Sequence, residues 1–222
     1  MPEKFLHLHP YPPFIPQGAT KLIVGTLPPP RFSGYGLLKS NDVDFCYGSR
    51  DGQLWKILGI IFQTSFLFEN TQEAVNQRKK FLSKNKIGIC DIVASCQRTK
   101  IDASDLGMQN IVLRDFFQYL EVFPSVETLL FTGGSSKNSP EYLFRKYLKH
   151  KGLAMELLSD QIPKLHRFSF QGKMIKTVSL TAPSGSANRA IGSIALYKKL
   201  KQQNPNFSTI DFRVMQYKAF FK

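Results

Sequence analysis

Four short apolar runs rich in β-branched and aliphatic residues punctuate the chain, over residues 22–24, 87–93, 128–131 and 175–180. Small or turn-forming residues follow each run, so all four read as strands. Between them, apolar positions recur at helical spacing. The pattern predicts helices over 53–62, over 71–82 with Thr71 as N-cap, over 110–120, and over 140–151 opened by Ser139-Pro140. A further helix is predicted over 188–203. This alternation predicts an α/β fold, a three-layer α/β/α sandwich around a central, mainly parallel four-stranded sheet. Such sheets place their sites at the carboxyl ends of the strands. Residues 1–18, with Pro2, Pro10, Pro12, Pro13 and Pro16, read as an extended arm packed on the surface. The tail after Pro205 offers one last short helix or strand over 209–221, with aromatics at Phe212, Tyr217, Phe220 and Phe221. No internal repeat, low-complexity linker or composition break is visible, so residues 1–222 are expected to form a single domain.

Composition narrows the class. With 42% hydrophobic and 13% aromatic residues the chain can bury a sizeable core, which excludes global disorder. No apolar stretch approaches the roughly 18–20 residues of a spanning helix, and the first residues lack a signal pattern. A soluble, cytoplasmic protein is expected, nucleoid-associated if bacterial. Cys46, Cys90 and Cys96 are an odd count without the paired spacings of a metal or cluster site, and read as reduced thiols. The net charge of +14 changes the picture most, because attraction to a polyphosphate grows with every counterion released. Nucleic acid becomes the leading partner, although such a surface can also serve solubility alone. The basic residues gather at Arg78-Lys79-Lys80, over 145–151 and at Lys198-Lys199-Lys201, each on a predicted helix that could equally be a solvated face.

Three loops carry candidate chemistry. Gly25-Thr26-Leu27-Pro28-Pro29-Pro30 follows the first strand and is rigid enough to aim backbone amides at a ligand, or is simply a turn. The segment from Phe45 through Tyr47-Gly48-Ser49-Arg50-Asp51-Gly52 to Trp55 crowds aromatics, a carboxylate and two glycines into the start of a helix. Thr181-Ala182-Pro183-Ser184-Gly185-Ser186-Ala187-Asn188-Arg189 is small and polar and leads into a basic helix, which suits either a phosphate or an ordinary cap.

Taken in order, these segments resemble the uracil-DNA glycosylase superfamily, most closely its mismatch-specific and hypoxanthine-DNA glycosylase branches. Gly25-Thr26-Leu27-Pro28 resembles the first family motif, Gly-x-x-Pro. Tyr47-Gly48, followed by Leu54-Trp55-Lys56-Ile57-Leu58, resembles the aromatic-Gly segment that opens the next helix. Asp91-Ile92-Val93-Ala94-Ser95-Cys96-Gln97-Arg98 is similar to the family's Asp-Val-Leu-Ala-Ser-Cys-x-Arg stretch. Leu130-Phe131-Thr132-Gly133-Gly134 is similar to its Leu-Phe-x-Gly stretch, and Pro183-Ser184 to its final Pro-Ser loop. The resemblance spans about residues 21–195. Several family groups are replaced. Leu27 stands where many members carry a water-activating Asn or Asp, and Gly52 where the hypoxanthine branch carries an Asn. Ser49 and Ala182 replace histidines, and Ser186 replaces an apolar wedge.

The resemblance implies a monofunctional DNA glycosylase, a hydrolase that flips a deaminated base such as uracil or hypoxanthine out of DNA and cleaves its N-glycosidic bond without a cofactor. That chemistry needs a stacking partner, groups that hold the base, an oriented water and phosphate contacts. Asp51 is the surviving candidate for the water, or else a helix-capping Asp. Thr26, Phe45, Tyr47 and Thr132 are the base-binding candidates, with a core role as the alternative for the aromatics. Ser184, Ser186, Asn188 and Arg189 are the candidates for DNA binding. Thr26, Tyr47, Asp51, Thr132 and Ser184 are expected to share one cleft. His7 and His9 share a face of the arm without a third ligand, and no metal is expected. The partner is DNA, damaged duplex or single-stranded, with no membrane and a monomeric protein. The rival reading is a catalytically impaired, nucleic-acid-binding relative.

Overall fold

The computed structural model describes residues 3–134 and 136–222. Nine strands form in chain order: β1 (Phe5–Leu8), β2 (Lys21–Val24), β3 (Ile87–Ile89), β4 (Val93–Arg98), β5 (Gln109–Leu113), β6 (Thr128–Phe131), β7 (Glu156–Ser159), β8 (Lys164–Phe170) and β9 (Lys173–Ser179). The seven α-helices are α1 (Leu54–Phe62), α2 (Gln72–Lys84), α3 (Phe116–Val122), α4 (Pro140–His150), α5 (Asn188–Ser193), α6 (Ala195–Gln203) and α7 (Thr209–Phe221).

The four apolar runs become the neighbouring parallel strands β3, β2, β6 and β9. Their side chains alternate across the sheet as a period of two requires. Leu22, Val24, Leu129 and Phe131 meet Phe116 and Phe144 on one face, whereas Ile23 and Leu130 meet Trp55, Leu58 and Tyr217 on the other. Helices thus cover a mainly parallel central sheet on both sides. The sheet has six strands rather than four, because β8 and β7 extend it antiparallel beyond β9. A tight turn joins β8 to β9 through Gln171 and Gly172, both at positive φ, the geometry that matches the twist of paired strands.

Four further departures from the sequence reading have local causes. The arm is not merely laid on the surface, since β1 pairs antiparallel with β4 and β5 completes a second, three-stranded sheet. Residues 109–113 are a strand, not the start of a helix, and α3 begins only after Asp115, whose carboxylate accepts the Phe117 amide. The helix expected over 188–203 is broken at Ile194, where the backbone is extended, giving α5 and α6. Arg78 is not part of a solvated face. It is fully buried with its guanidinium 5.1 Å from the Trp55 ring, 5.6 Å from Phe66 and 5.3 Å from Phe68, and burial lowers it to about 10. The tail forms a 13-residue helix, fixed at its start by reciprocal capping between Ser208 and Asp211. Among the described residues no helix is long and apolar enough to cross a membrane. All three cysteines are free and buried.

Candidate functional site

The loops that follow β2, β3, β6 and β9 lie at the same, carboxyl edge of the parallel sheet. Gly25, the first residue after β2, is their meeting point. A Cβ placed on Gly25 would stand 2.1 Å from the Tyr47 hydroxyl and 2.4 Å from Asp91 Oδ1, so only glycine admits both groups against this backbone. Tyr47 reaches it from a tight turn in which Val43 N donates to Gly48 O at 2.8 Å and Gly48 N donates to Phe45 O at 2.8 Å. The turn forces Tyr47 to φ +56, a left-handed conformation that an aromatic residue seldom adopts, and thereby swings its phenol toward the sheet edge. Its hydroxyl lies 2.6 Å from Thr132 Oγ1, which itself donates to Val24 O at 3.3 Å. Burial, with the nearby Asp91 charge, pushes the Tyr47 phenol well above its ordinary range, so it stays protonated.

Asp91 follows β3 and is pinned by its neighbours, Cys90 N donating to Ile23 O and Ile92 N to Gly25 O. Its Oδ2 lies 2.9 Å from His9 Nε2, and both side chains are buried. The Tyr11 amide donates to His9 Nδ1 at 3.1 Å, so the ring proton sits on Nε2 and is donated to Asp91. The other carboxylate oxygen, Oδ1, is buried and has no hydrogen-bond partner among the described residues. An unpaired buried carboxylate oxygen is costly, and where it persists it calls for an explanation such as a ligand. A second carboxylate stands close by. Thr26 Oγ1 donates to Asp105 Oδ1 at 2.9 Å, and burial pushes Asp105 up to about 6 against the opposing pull of that bond and of Arg98.

Asp51 occupies a different setting. Its side chain is 68% exposed, with the Arg31 guanidinium 3.8 Å away and that of Arg50 at 3.9 Å. Arg31 organises this loop through a two-pronged contact to buried Asp42, at 2.7 and 2.9 Å, and a 2.8 Å bond to Ser49 Oγ. Burial alone would raise the Asp42 carboxyl, but Arg31 and the Arg50 and Lys39 amides outweigh it and hold the group below its usual range. The loop is joined to the last loop by a bridge between Gly52 and Ser184 and by Gln53 N donating to Pro183 O at 2.8 Å. Asp51 and Ser184 thus belong to adjoining segments, while the hydrogen bonds and ion pairs of Asp51 do not extend to the Gly25 cluster.

The last loop is held from beneath by Arg213 of α7. Its buried guanidinium donates to Ala182 O at 2.8 Å, Ser184 O at 2.7 Å, Asn188 Oδ1 at 3.0 Å and Thr209 O at 3.2 Å. Asn188 Oδ1 also accepts from Thr209 Oγ1, so the carbonyl of this DNA-binding candidate is engaged within the protein. Ser184 and Ser186 share a 2.9 Å hydroxyl contact, and Ser186 and Arg189 are exposed.

The sequence candidates therefore separate. Thr26, Tyr47 and Thr132 gather around Gly25, whereas Asp51, Ser184, Ser186 and Arg189 lie on the flanking loops. Phe45 is the one base-stacking candidate that the structure removes. Its buried ring packs 6.2–6.4 Å from those of Tyr11, Phe14 and Trp55, in the wall of a separate pocket between the arm and α2. Leu27, in the place of a family water-activating group, is buried in the core. Asp91, His9, Asp105 and Arg213 are the additions. Asp91 carried a usable signal, a carboxylate just past a strand inside a recognised stretch. His9 carried none, because the folded arm alone brings it across 82 positions of sequence to Asp91.

No protein-family model matches the chain, and no curated protein matches it either. Its structure is similar to a solution NMR structure of a putative uracil DNA glycosylase from Methanosarcina acetivorans, with a TM-score of 0.56 and 15% identity over 98% of this chain and 97% of that one. At that identity the likeness speaks for the fold.

Proposed function

We propose that the protein is a DNA N-glycosylase of the uracil-DNA glycosylase superfamily that extrudes a deaminated base and hydrolyses its N-glycosidic bond. The observation that carries this reading is the buried, unpartnered Oδ1 of Asp91 beside Gly25 and Tyr47. Deamination turns the acceptor N3 of cytosine into the N3–H of uracil, and the acceptor N1 of adenine into the N1–H of hypoxanthine. A fixed carboxylate acceptor pairs with the products and is left unpaired by the parents, the kind of difference that discriminates strongly in a buried site. With the Thr132 proton on Val24 O, the Tyr47 hydroxyl can turn its own proton from Thr132 toward a base carbonyl, and Thr26 lines the same turn.

Hydrolysis also needs a water held against the sugar as positive charge develops there. Asp105 is the carboxylate we assign to it, since it sits on Thr26 and burial raises its carboxyl to about 6. Asp51 is the alternative, reaching in from the rim between Arg31 and Arg50. Ser184, Ser186 and Arg189 are suited to the phosphates flanking the extruded nucleotide, which the +14 charge of the chain draws in. Duplex and single-stranded oligonucleotides carrying uracil, hypoxanthine or xanthine, followed by alkaline cleavage, test the reading directly. Strand breaks at the lesion are expected. The buried Leu27 favours a second reading, a non-catalytic binding relative, and salt-sensitive binding without any abasic product would establish it.

A further inference from the structure

Away from these loops, β5 forms one edge of the three-stranded sheet, with β4 on its inner side and, among the described residues, no strand on its outer side. A groove of about 530 Å³ runs between this strand and α4. Ile111 and Leu113, two residues apart and therefore on one face of β5, form its floor with Met108 and with Leu143 of α4. Its rim carries the ammonium of Lys137 at one end and that of Lys146 along α4, with the His150 ring one helical turn from Lys146. Among the described residues none of these three has an acidic partner, whereas the neighbouring Lys151 lies 3.6 Å from Asp115. An unpaired strand edge beside an apolar floor is a feature that proteins usually blunt or cover.

We infer that this groove docks an extended, acidic segment of a partner protein, which adds as a further strand to the outer edge of β5. Strand addition supplies main-chain hydrogen bonds, and every second side chain of the segment turns toward the groove, the apolar ones over Ile111 and Leu113 and the carboxylates near its ends toward Lys137 and Lys146. The floor argues for a peptide over a nucleic-acid strand. Its aliphatic surface offers no platform on which bases stack, and of the groove's two rings His150 lies on the rim and Tyr147 is tied by its hydroxyl to Asp115.

The test uses a fluorescein-labelled eight-residue peptide, Glu-Ser-Val-Ser-Val-Ser-Glu-Ser, whose valines and glutamates share one face of a strand, titrated into the full chain and followed by anisotropy and by amide hydrogen exchange. Saturable binding is expected, with added protection at residues 111–113. The double variant Lys146→Glu/His150→Glu is expected to weaken it by roughly tenfold or more, and Lys198→Glu/Lys201→Glu on α6 to leave it unchanged. No binding, no protection at 111–113, or equal weakening by both variants overturns the proposal. So does an unlabelled oligo-dT strand that binds the same groove and loses affinity in the α4 variant while the peptide does not. None of these readouts involves base excision, so the inference stands or falls apart from the proposed activity.

Discussion

Two buried ionic groups hold loops at the carboxyl edge of the sheet, and they differ in how fully they are satisfied. Arg213 lies beneath the last loop with its donors spent on two loop carbonyls, the Asn188 side chain and Thr209 O. Asp91 lies beneath the first loop with one oxygen on His9 and the other unpartnered. Both are taken out of water, which is costly for an ion. A group whose hydrogen-bonding capacity is used inside the protein fixes the chain, whereas one with an oxygen left unpartnered, packed with the Tyr47 hydroxyl against Gly25, has capacity that a ligand can use. Under the proposed function the contrast makes Arg213 scaffold and Asp91 the base-recognising group, and substitutions can break it.

The largest effect on stability is expected at Arg213. Arg213→Ala leaves the Ala182 and Ser184 carbonyls and Asn188 Oδ1 without their donor, which should cost about 3–5 kcal/mol in urea unfolding. Little change there would show that water replaces the guanidinium and that the last loop holds itself.

Asp91→Asn should do the opposite, sparing the fold and removing function. Because the Tyr11 amide fixes the His9 proton on Nε2, the carboxamide must turn its oxygen to His9 and its NH2 to the base. Donor then faces the N–H of uracil or hypoxanthine, and excision should fall by about 10²–10³ with the urea midpoint nearly unchanged, the loss typical of one misplaced group in a preorganised site. Retained excision would remove Asp91 from recognition.

Asp105 combines the two behaviours. With the carboxyl pushed up to about 6 by burial, the rate should rise with pH and level off above that value. For stability the sign is reversed. The folded state holds the proton more tightly than the unfolded chain, so this contribution is present at low pH and is lost as pH rises from the ordinary carboxyl value to about 6. Asp105→Asn should therefore stabilise the protein by about 1 kcal/mol at pH 7 while lowering excision about a hundredfold, a trade of stability for function. Matched pH–rate profiles and thermal melts of the two proteins check both halves.

The same contrast explains what could be read without the structure. The parallel strands were legible because their apolar runs are continuous and end in turns, as strands buried on both faces must. β8 was hidden because Lys164, His166 and Arg167 interrupt its apolar positions, and β5 because Val112 and Leu113 run into Phe116, Phe117 and Leu120 at helical spacing. Thr26 and Thr132 stand in loops just past parallel strands, a position that sequence alone marks, and Tyr47 in a loop dense in aromatic and polar groups. His9 and Arg213 were not legible, because a contact spanning most of the chain leaves no local trace. Arg78 misled for a related reason, since a guanidinium caged by Trp55, Phe66 and Phe68 looks in sequence like one more surface charge.

The smallest effect is expected at Asp51, and it bears on the assignment of the water. Its side chain is 68% exposed and its ion-pair distances of 3.8 and 3.9 Å are those of a solvated rim group. Exposed pairs of this kind contribute about 0–1 kcal/mol, so Asp51→Asn should leave the urea midpoint essentially in place. If Asp105 orients the water, excision in Asp51→Asn should change by less than about threefold, while loss of a true general base costs about 10²–10⁴. A loss in that larger range, with DNA affinity retained, would mean that the Gly52 backbone lets Asp51 fold in over the base once DNA is bound. The catalytic carboxylate would then belong to the exposed rim loop, and Asp105 would be left to hold Thr26 in place.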